Sequence, residues 1–165
     1  MKKTKGFTLL TSIVVTSMLL LVSFIVADIA LKQLVLSYAN QESQFSFYNA
    51  DTGLECAEYW DLSPNVGTSA FSSTTSGSLT CNNENVFSNS QTVPAHGSYP
   101  TQMSTIGGVS DGYPSSFMID NLAHGCVIVN VTKNVNGTTL IESFGYNTCD
   151  TTSDRRFERG IKVQY

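Results

Sequence analysis

Between Phe7 and Ala27 the chain runs for 21 residues without a formal charge, and neither glycine nor proline occurs from Phe7 to Thr52. Wound as an α-helix, the uncharged run spans about 31 Å, enough for a bilayer core of roughly 30 Å. Its hydroxyls, on Thr8, Thr11, Ser12, Thr16, Ser17 and Ser23, can bond back to their own helix or across to another. Helix-compatible sequence continues beyond it. Asp28 and Lys32 stand at i,i+4, where their charges can pair as the helix leaves the membrane. Leu34, Tyr38, Phe45, Tyr48, Leu54, Ala57 and Tyr59 follow at spacings of three to six and mark one apolar stripe, which Ser63-Pro64 ends. A helix from Phe7 to Leu62 holds 56 residues and runs about 84 Å. Only its first 30 Å or so fit in lipid, so a folded domain or other copies of the helix must cover the rest.

Charge sets the orientation. Charged residues are 13% of the chain, about half the usual share, which excludes a disordered acidic tail and a lysine-coated nucleic-acid binder. The net charge is -4, but Lys2, Lys3 and Lys5 all precede the apolar run. Past them, six basic residues face 13 acidic ones. A basic tip before an apolar segment places the tip on the cytoplasmic side and the acidic remainder outside. A cleaved secretory signal begins the same way, yet it wants small residues one and three positions before the cut. A cut after Ala27 puts Ile25 at the outer of these positions, and one after Ala30 puts Asp28 there, so retention of the segment is expected.

Lys5-Gly6-Phe7-Thr8-Leu9-Leu10 resembles the processing site of type IV pilins and of their secretion-system relatives, the pseudopilins. The resemblance implies a leader over residues 1–6, cleavage after Gly6 by a prepilin peptidase, and a mature chain beginning at an N-methylated Phe7. Glycine before the bond lets extended backbone enter a protease site without side-chain clash. At the fifth mature position most of the family carries glutamate, thought to neutralise a neighbour's amino terminus in an apolar core, where an unpaired charge is costly. Here that residue is Thr11. Certain minor subunits, notably the pseudopilin at the fibre tip, lack the glutamate, so the resemblance implies a minor subunit, with a tip or priming position among its roles. The segment Phe47 to Glu55 also resembles the motif that ends the long helix in minor pilins of the PilX-like group. Ala50, Asp51, Gly53, Leu54 and Glu55 match it, and Thr52 stands where alanine is usual. Asp51, Glu55 and Glu58 lie on adjacent turns but read as a solvated helix face, since no His or Cys thiolate completes a ligand set.

The expected fold is α+β and type IV pilin-like: a long N-terminal transmembrane helix packed on a C-terminal antiparallel sheet of about four strands. Residues 7–27 form its membrane half, 28–62 its exposed half, and 63–165 a β-rich head. Within the head, 63–116 carry only Glu84 and Asp111 as charges, amid Ser, Thr, Asn and Gly, and read as variable loops and short edge strands. Strands are expected at Phe117–Asp120, Cys126–Lys133, Thr138–Tyr146 and Phe157–Tyr165, with Asn136-Gly137 as a two-residue hairpin turn. In the last, Ile161, Val163 and Tyr165 alternate with Lys162 and Gln164, one face buried and one wet.

Cys56, Cys81, Cys126 and Cys149 suit an oxidising exterior. Pairing Val135 with Thr138 across the turn places Cys126 opposite Asn147, with Cys149 a same-face diagonal neighbour. The expected bridges are therefore Cys126–Cys149 and Cys56–Cys81, each closing about 25 residues for roughly 3 kcal/mol. Zinc is the rival use of these thiols, but no Cys-x-x-Cys pair occurs.

Little points to catalysis. His96 lies in a Pro-Ala-His-Gly loop and His124 two residues before Cys126, without an orienting acid for a nucleophile pair. There is no glycine-rich phosphate loop, and no cofactor or metal is expected. Asn130-Val-Thr and Asn136-Gly-Thr match glycosylation sequons but read as strand and turn residues. Arg155, Arg156, Arg159 and Lys162 could supply a weak phosphate (DNA) contact. The interleaved Asp150, Asp154 and Glu158 favour salt-bridged packing or contact with a neighbouring subunit.

The functional expectation is a non-enzymatic minor subunit of a type IV pilus-like filament. Its partners are the lipid bilayer before assembly, prepilin peptidase, the inner-membrane assembly machinery and other pilin subunits through the N-terminal helix. The chain would pass once through the cytoplasmic membrane with its head outside, then enter an extracellular filament. The alternatives are a membrane-held or tip-displayed adhesin whose 63–116 surface grips a ligand, and a minor pseudopilin of a secretion system.

Overall fold

The computed structural model describes residues 5–62, 69–72, 78–87, 90–107 and 114–165. Lys2 and Lys3 of the expected leader, the Ser63-Pro64 stop and Asp111 lie outside the described residues. The layout is α+β. A single helix, α1 (Lys5–Leu62), is followed by β1 (Ser78–Cys81), β2 (Glu84–Phe87), β3 (Thr92–Val93), β4 (Gln102–Met103), β5 (Ser115–Ile119), β6 (Cys126–Lys133), β7 (Thr139–Tyr146) and β8 (Glu158–Gln164). The chain divides into two units at Asn40/Gln41.

The first unit is helix alone. From Phe7 to Ile29 its apolar side chains are exposed, and the helix is long and apolar enough to cross a membrane. Its hydroxyls turn inward on the helix itself. Thr11 donates to the carbonyls of Phe7 and Thr8 (3.2 and 3.0 Å), Ser12 to Leu9, Thr16 to Ser12, Ser17 to Val14 and Ser23 to Leu19. Each bond satisfies a polar group locally, as a helix without water around it requires. Asp28 and Lys32 pair at 2.8 Å.

In the second unit β5-β6-β7-β8 form one antiparallel sheet in chain order, joined by two small hairpins, β1-β2 and β3-β4. Asn82 and Asn83 make the β1-β2 turn with φ of 50° and 62°, the left-handed conformations that a two-residue hairpin turn demands and Asn tolerates. The β6-β7 turn differs from the two-residue form expected from Asn136-Gly137. Gly137 donates to Asn134 and Asn134 to Thr138, both at 3.0 Å, so Val135-Asn136-Gly137 form a three-residue loop with Gly137 at φ 85°. A type I turn closed by a left-handed glycine has this form. It moves the register by one residue: Lys133 pairs with Thr139 and Cys126 with Tyr146, not with Asn147.

The buried face of α1 also departs from the expected aromatic stripe. Tyr38, Tyr48 and Tyr59 are about 60% exposed (61%, 62% and 60%), Leu34 is exposed and Phe45 half-buried; of the seven stripe residues only Leu54 and Ala57 are buried. The residues that meet the sheet are Ser46, Asn49, Ala50, Gly53, Leu54, Ala57 and Asp61, small or polar for the most part. The reason is distance. A Cβ on Gly53 would stand 2.6 Å from Val127 Cγ2 and 2.8 Å from Val129 Cγ2, and a Cβ on Gly145 of β7 would collide with the backbone of Ser46 and Ala50. Helix and sheet touch backbone to backbone at Gly145, and the side chains of Val127, Val129 and Ser143 fill the space under Gly53, an approach that aromatic side chains would prevent. Around this seam Phe71, Leu79, Val86, Ile106, Phe117, Ile119 and Ile141 complete the core.

Candidate functional site

Gly6 and Phe7 lie in the first turns of α1, where Phe7 is 71% exposed. Thr11, where the resemblance would place glutamate, spends its hydroxyl on its own helix and presents no charge. Along the helix-end motif, Ala50, Gly53 and Leu54 face the sheet, Asp51 is half-buried and Glu55 exposed. Thr52 bonds back to Tyr48 at 2.9 Å.

Two polar clamps that residue patterning did not single out hold this seam. The Asn49 amide donates to two carbonyls, His124 (2.5 Å) and Tyr146 (2.8 Å), tying the helix to both the turn before β6 and the end of β7. Asp61, in the last turn of α1, accepts hydrogen bonds from Lys133 (2.7 Å), the Tyr165 hydroxyl (2.7 Å) and Ser69. Burial opposes its charge, yet these three donors outweigh that and hold its carboxyl below the ordinary 3.8. A carboxylate at a helix C-terminus is otherwise unfavourable, and the Lys133 ammonium offsets this. Residues 46, 49, 50, 53, 54, 57 and 61 share one helical face.

The opposite face of the sheet carries its own network. His96 is 4% exposed; its Nδ1 donates to Pro94 O (2.7 Å) and its Nε2 accepts from Asn130 Nδ2 (2.7 Å), which fixes the neutral tautomer. The ring packs on Tyr99 and Phe144, with centroids 5.4 and 5.3 Å away. Tyr99 donates to Glu142 (2.6 Å), which also accepts from Lys162 (2.9 Å). Burial opposes ionisation of Glu142, but Tyr99 and Lys162 hold its carboxyl below the usual range. Tyr99 in turn is pushed up to about 12 by burial and by its carboxylate partner. His124 is exposed and stacks near Phe45 at 4.5 Å. Both histidines are thus engaged in packing.

The four basic residues do not share a face. Arg159 donates to Ser43 of α1 (2.7 Å), whereas Lys162 joins Glu142 on the far side of the sheet. Arg156 lies over the Tyr146 ring, 3.7 Å from its centroid, and Arg155 is exposed, its carbonyl accepting from Asn147. Of the sequons, Asn130 is buried in β6 and Asn136 is exposed at the hairpin tip.

Cys56 and Cys81 are bridged, joining α1 to β1. The second expected bridge is not formed: Cys126 and Cys149 are free thiols, one buried and one exposed. With Cys126 paired to Tyr146, Cys149 lies past the end of β7 in the loop of residues 147–157. Among the described residues no group of three His, Cys, Asp or Glu side chains is placed to hold a metal ion. No protein-family model matches the chain, and no curated protein or solved structure is similar to it.

Proposed function

We propose that this chain is a minor subunit of a type IV pilus-like filament, held before assembly in the cytoplasmic membrane by α1 with its head outside. The observation that carries the reading is one unbroken helix, Lys5–Leu62, which begins at the Gly6-Phe7 site, is apolar enough to cross a membrane, and ends as the packing face of a four-stranded antiparallel sheet. A prepilin peptidase would cut after Gly6 and methylate Phe7. The assembly machinery would then lift the apolar rod from lipid to stack laterally on other subunits. Thr11 supports a minor role, because it brings no carboxylate to a neighbour's amino terminus. The division of Arg155, Arg156, Arg159 and Lys162 between faces favours local packing over a phosphate-binding patch.

Mass analysis of the natural product tests this directly: the expected chain starts at Phe7 and carries one added methyl. A chain retaining Lys2, Lys3 and Lys5, or one freely secreted with the rod removed, overturns the reading. Antibody labelling of sheared fibres then separates a filament subunit, which labels the fibres, from a membrane-held receptor, which does not.

A further inference from the structure

The two edges of the four-stranded sheet are finished differently. Along β5, Thr105 and Ser116 exchange main-chain hydrogen bonds at 2.7 and 2.8 Å, and the Gly107 amide donates to Ser115 Oγ at 3.0 Å, so the 105–107 segment covers that edge. Beyond β8 no described strand follows. Thr139 and Tyr165 exchange both of their main-chain bonds, and Asn147 donates to Phe157 O. Residues 157, 159, 161, 163 and 165 therefore turn their main-chain groups toward β7. Glu158, Gly160, Lys162 and Gln164 turn theirs outward, and all four are exposed. A bare edge is commonly blunted by a bulge, a proline or charge. β8 contains no proline and keeps one unbroken register with β7 over its seven residues. Its charges are opposite in sign, on one face, and equally spaced about Gly160: Glu158 before it and Lys162 after it.

We propose that the outer edge of β8 docks a second copy of this chain, whose own β8 pairs with it antiparallel about a two-fold axis through Gly160. Such an edge is self-complementary, as an isologous contact requires. Glu158 of each copy then faces Lys162 of the other, and Gly160 faces Gly160. The outward N–H and C=O groups of all three residues find main-chain partners. On the side that carries Arg159, Ile161 and Val163, Phe157 meets Val163 of the second copy. Charge selects this register over its neighbours. Centred on Ile161, Lys162 meets Gly160 and Glu158 meets Gln164; centred on Lys162, two lysines stand face to face. Lys162 already donates to Glu142 at 2.9 Å, but its side chain is 62% exposed and its ammonium has donors left for a second carboxylate. The two-fold axis reverses the partner's 41–62 helical segment. The contact therefore joins copies running in opposite directions, not copies stacked in parallel through α1, and it needs neither cleavage at Gly6 nor a filament.

The test is residue-resolved amide hydrogen exchange on the full chain in detergent, dilute and concentrated, with sedimentation to follow the monomer–dimer balance. On dimer formation the amides of Glu158, Gly160 and Lys162 should slow by at least about tenfold. Those of Arg159, Ile161 and Val163, already bonded to β7, should change little. Glu158→Lys and Lys162→Glu should each weaken the dimer at least about tenfold, because like charges then meet twice. An equal mixture of the two variants should recover it, because opposite charges meet again at both positions. Dimers that leave the three outward amides unchanged, as association through the membrane segment does, overturn the proposal. So does a mixture of folded variants that pairs no better than either alone. A wild-type chain that stays monomeric leaves the edge to a strand of another protein or to solvent, and equally overturns it.

Discussion

On the side of the sheet that meets α1, the side chains of Val127, Val129 and Ser143 press against Gly53 and Ala50, and Gly145 lies directly on the backbone of Ser46 and Ala50. On the other side, Asn130, Glu142 and Phe144 lie under a loop that contributes His96 and Tyr99, and the contact is made by rings and long polar side chains. The first face is stabilised by proximity: small residues admit many dispersion contacts at short range and tolerate no added atom. The second is stabilised by reach, through two hydrogen-bonded sets, Pro94–His96–Asn130 and Tyr99–Glu142–Lys162, joined by the packing of the His96 ring on Tyr99. Sensitivity to substitution should differ accordingly, with steric insertion fatal on one side and loss of a partner harmful on the other.

The sharpest way to break this contrast is Gly145→Val. The new side chain collides with the backbone of Ser46 and Ala50, and a loss of about 4 kcal/mol or more is expected, enough to abolish the cooperative denaturant transition of the unit Gln41–Tyr165 in the full chain. If that transition survives, the close seam is wrong. His96→Ala on the opposite face removes a packed ring and leaves the Asn130 amide buried without its partner. It should lower stability by about 2–3 kcal/mol in the same titration, with a fold that persists.

Asp61→Asn is expected to cost about 2 kcal/mol at pH 7, moderated because Lys133 is one-third exposed. Its pH signature is more telling. The Asp61 carboxyl lies below 3.8 in the fold, so its contribution is complete above that value and is lost as pH falls through the lower folded value. The variant should flatten the acid limb of a stability–pH curve below about pH 4. Tyr99→Phe should act at the other extreme. Raising Tyr99 from 10.0 to about 12 favours the protonated phenol, so its contribution is full below pH 10 and fades between those values. The smallest effect belongs to Lys162→Ala, whose side chain is 62% exposed. A change of less than about 0.5 kcal/mol is expected, shrinking further in salt.

The long helix and the four strands of the sheet were legible because each obeys a strong period: uninterrupted apolar helix sequence in one case, alternation around the β6-β7 turn in the other. Which face of α1 packs was not. A search for large apolar residues selects Tyr38, Tyr48 and Tyr59, whereas close approach selects Ser46, Ala50 and Gly53, whose burial contributes little hydrophobic signal per residue. The turn was misjudged by one residue because Asn136-Gly137 serves both two-residue and three-residue loops, and only the bonds of Asn134 decide. The polar cover over Asn130 and Glu142 depends on long-range placement of the 90–107 segment, which has no periodicity to read. Asp61 was hidden for a similar reason, since its three donors lie 8, 72 and 104 residues away.

The glycine seam has a mechanical consequence. Where residues 46–61 of the helix sit this close on the strands, that segment is held against rotation and sliding by several contacts at once. A tug along its axis is then resisted in shear, shared among Ser46, Ala50, Gly53 and the strands beneath them, rather than peeled open one bond at a time.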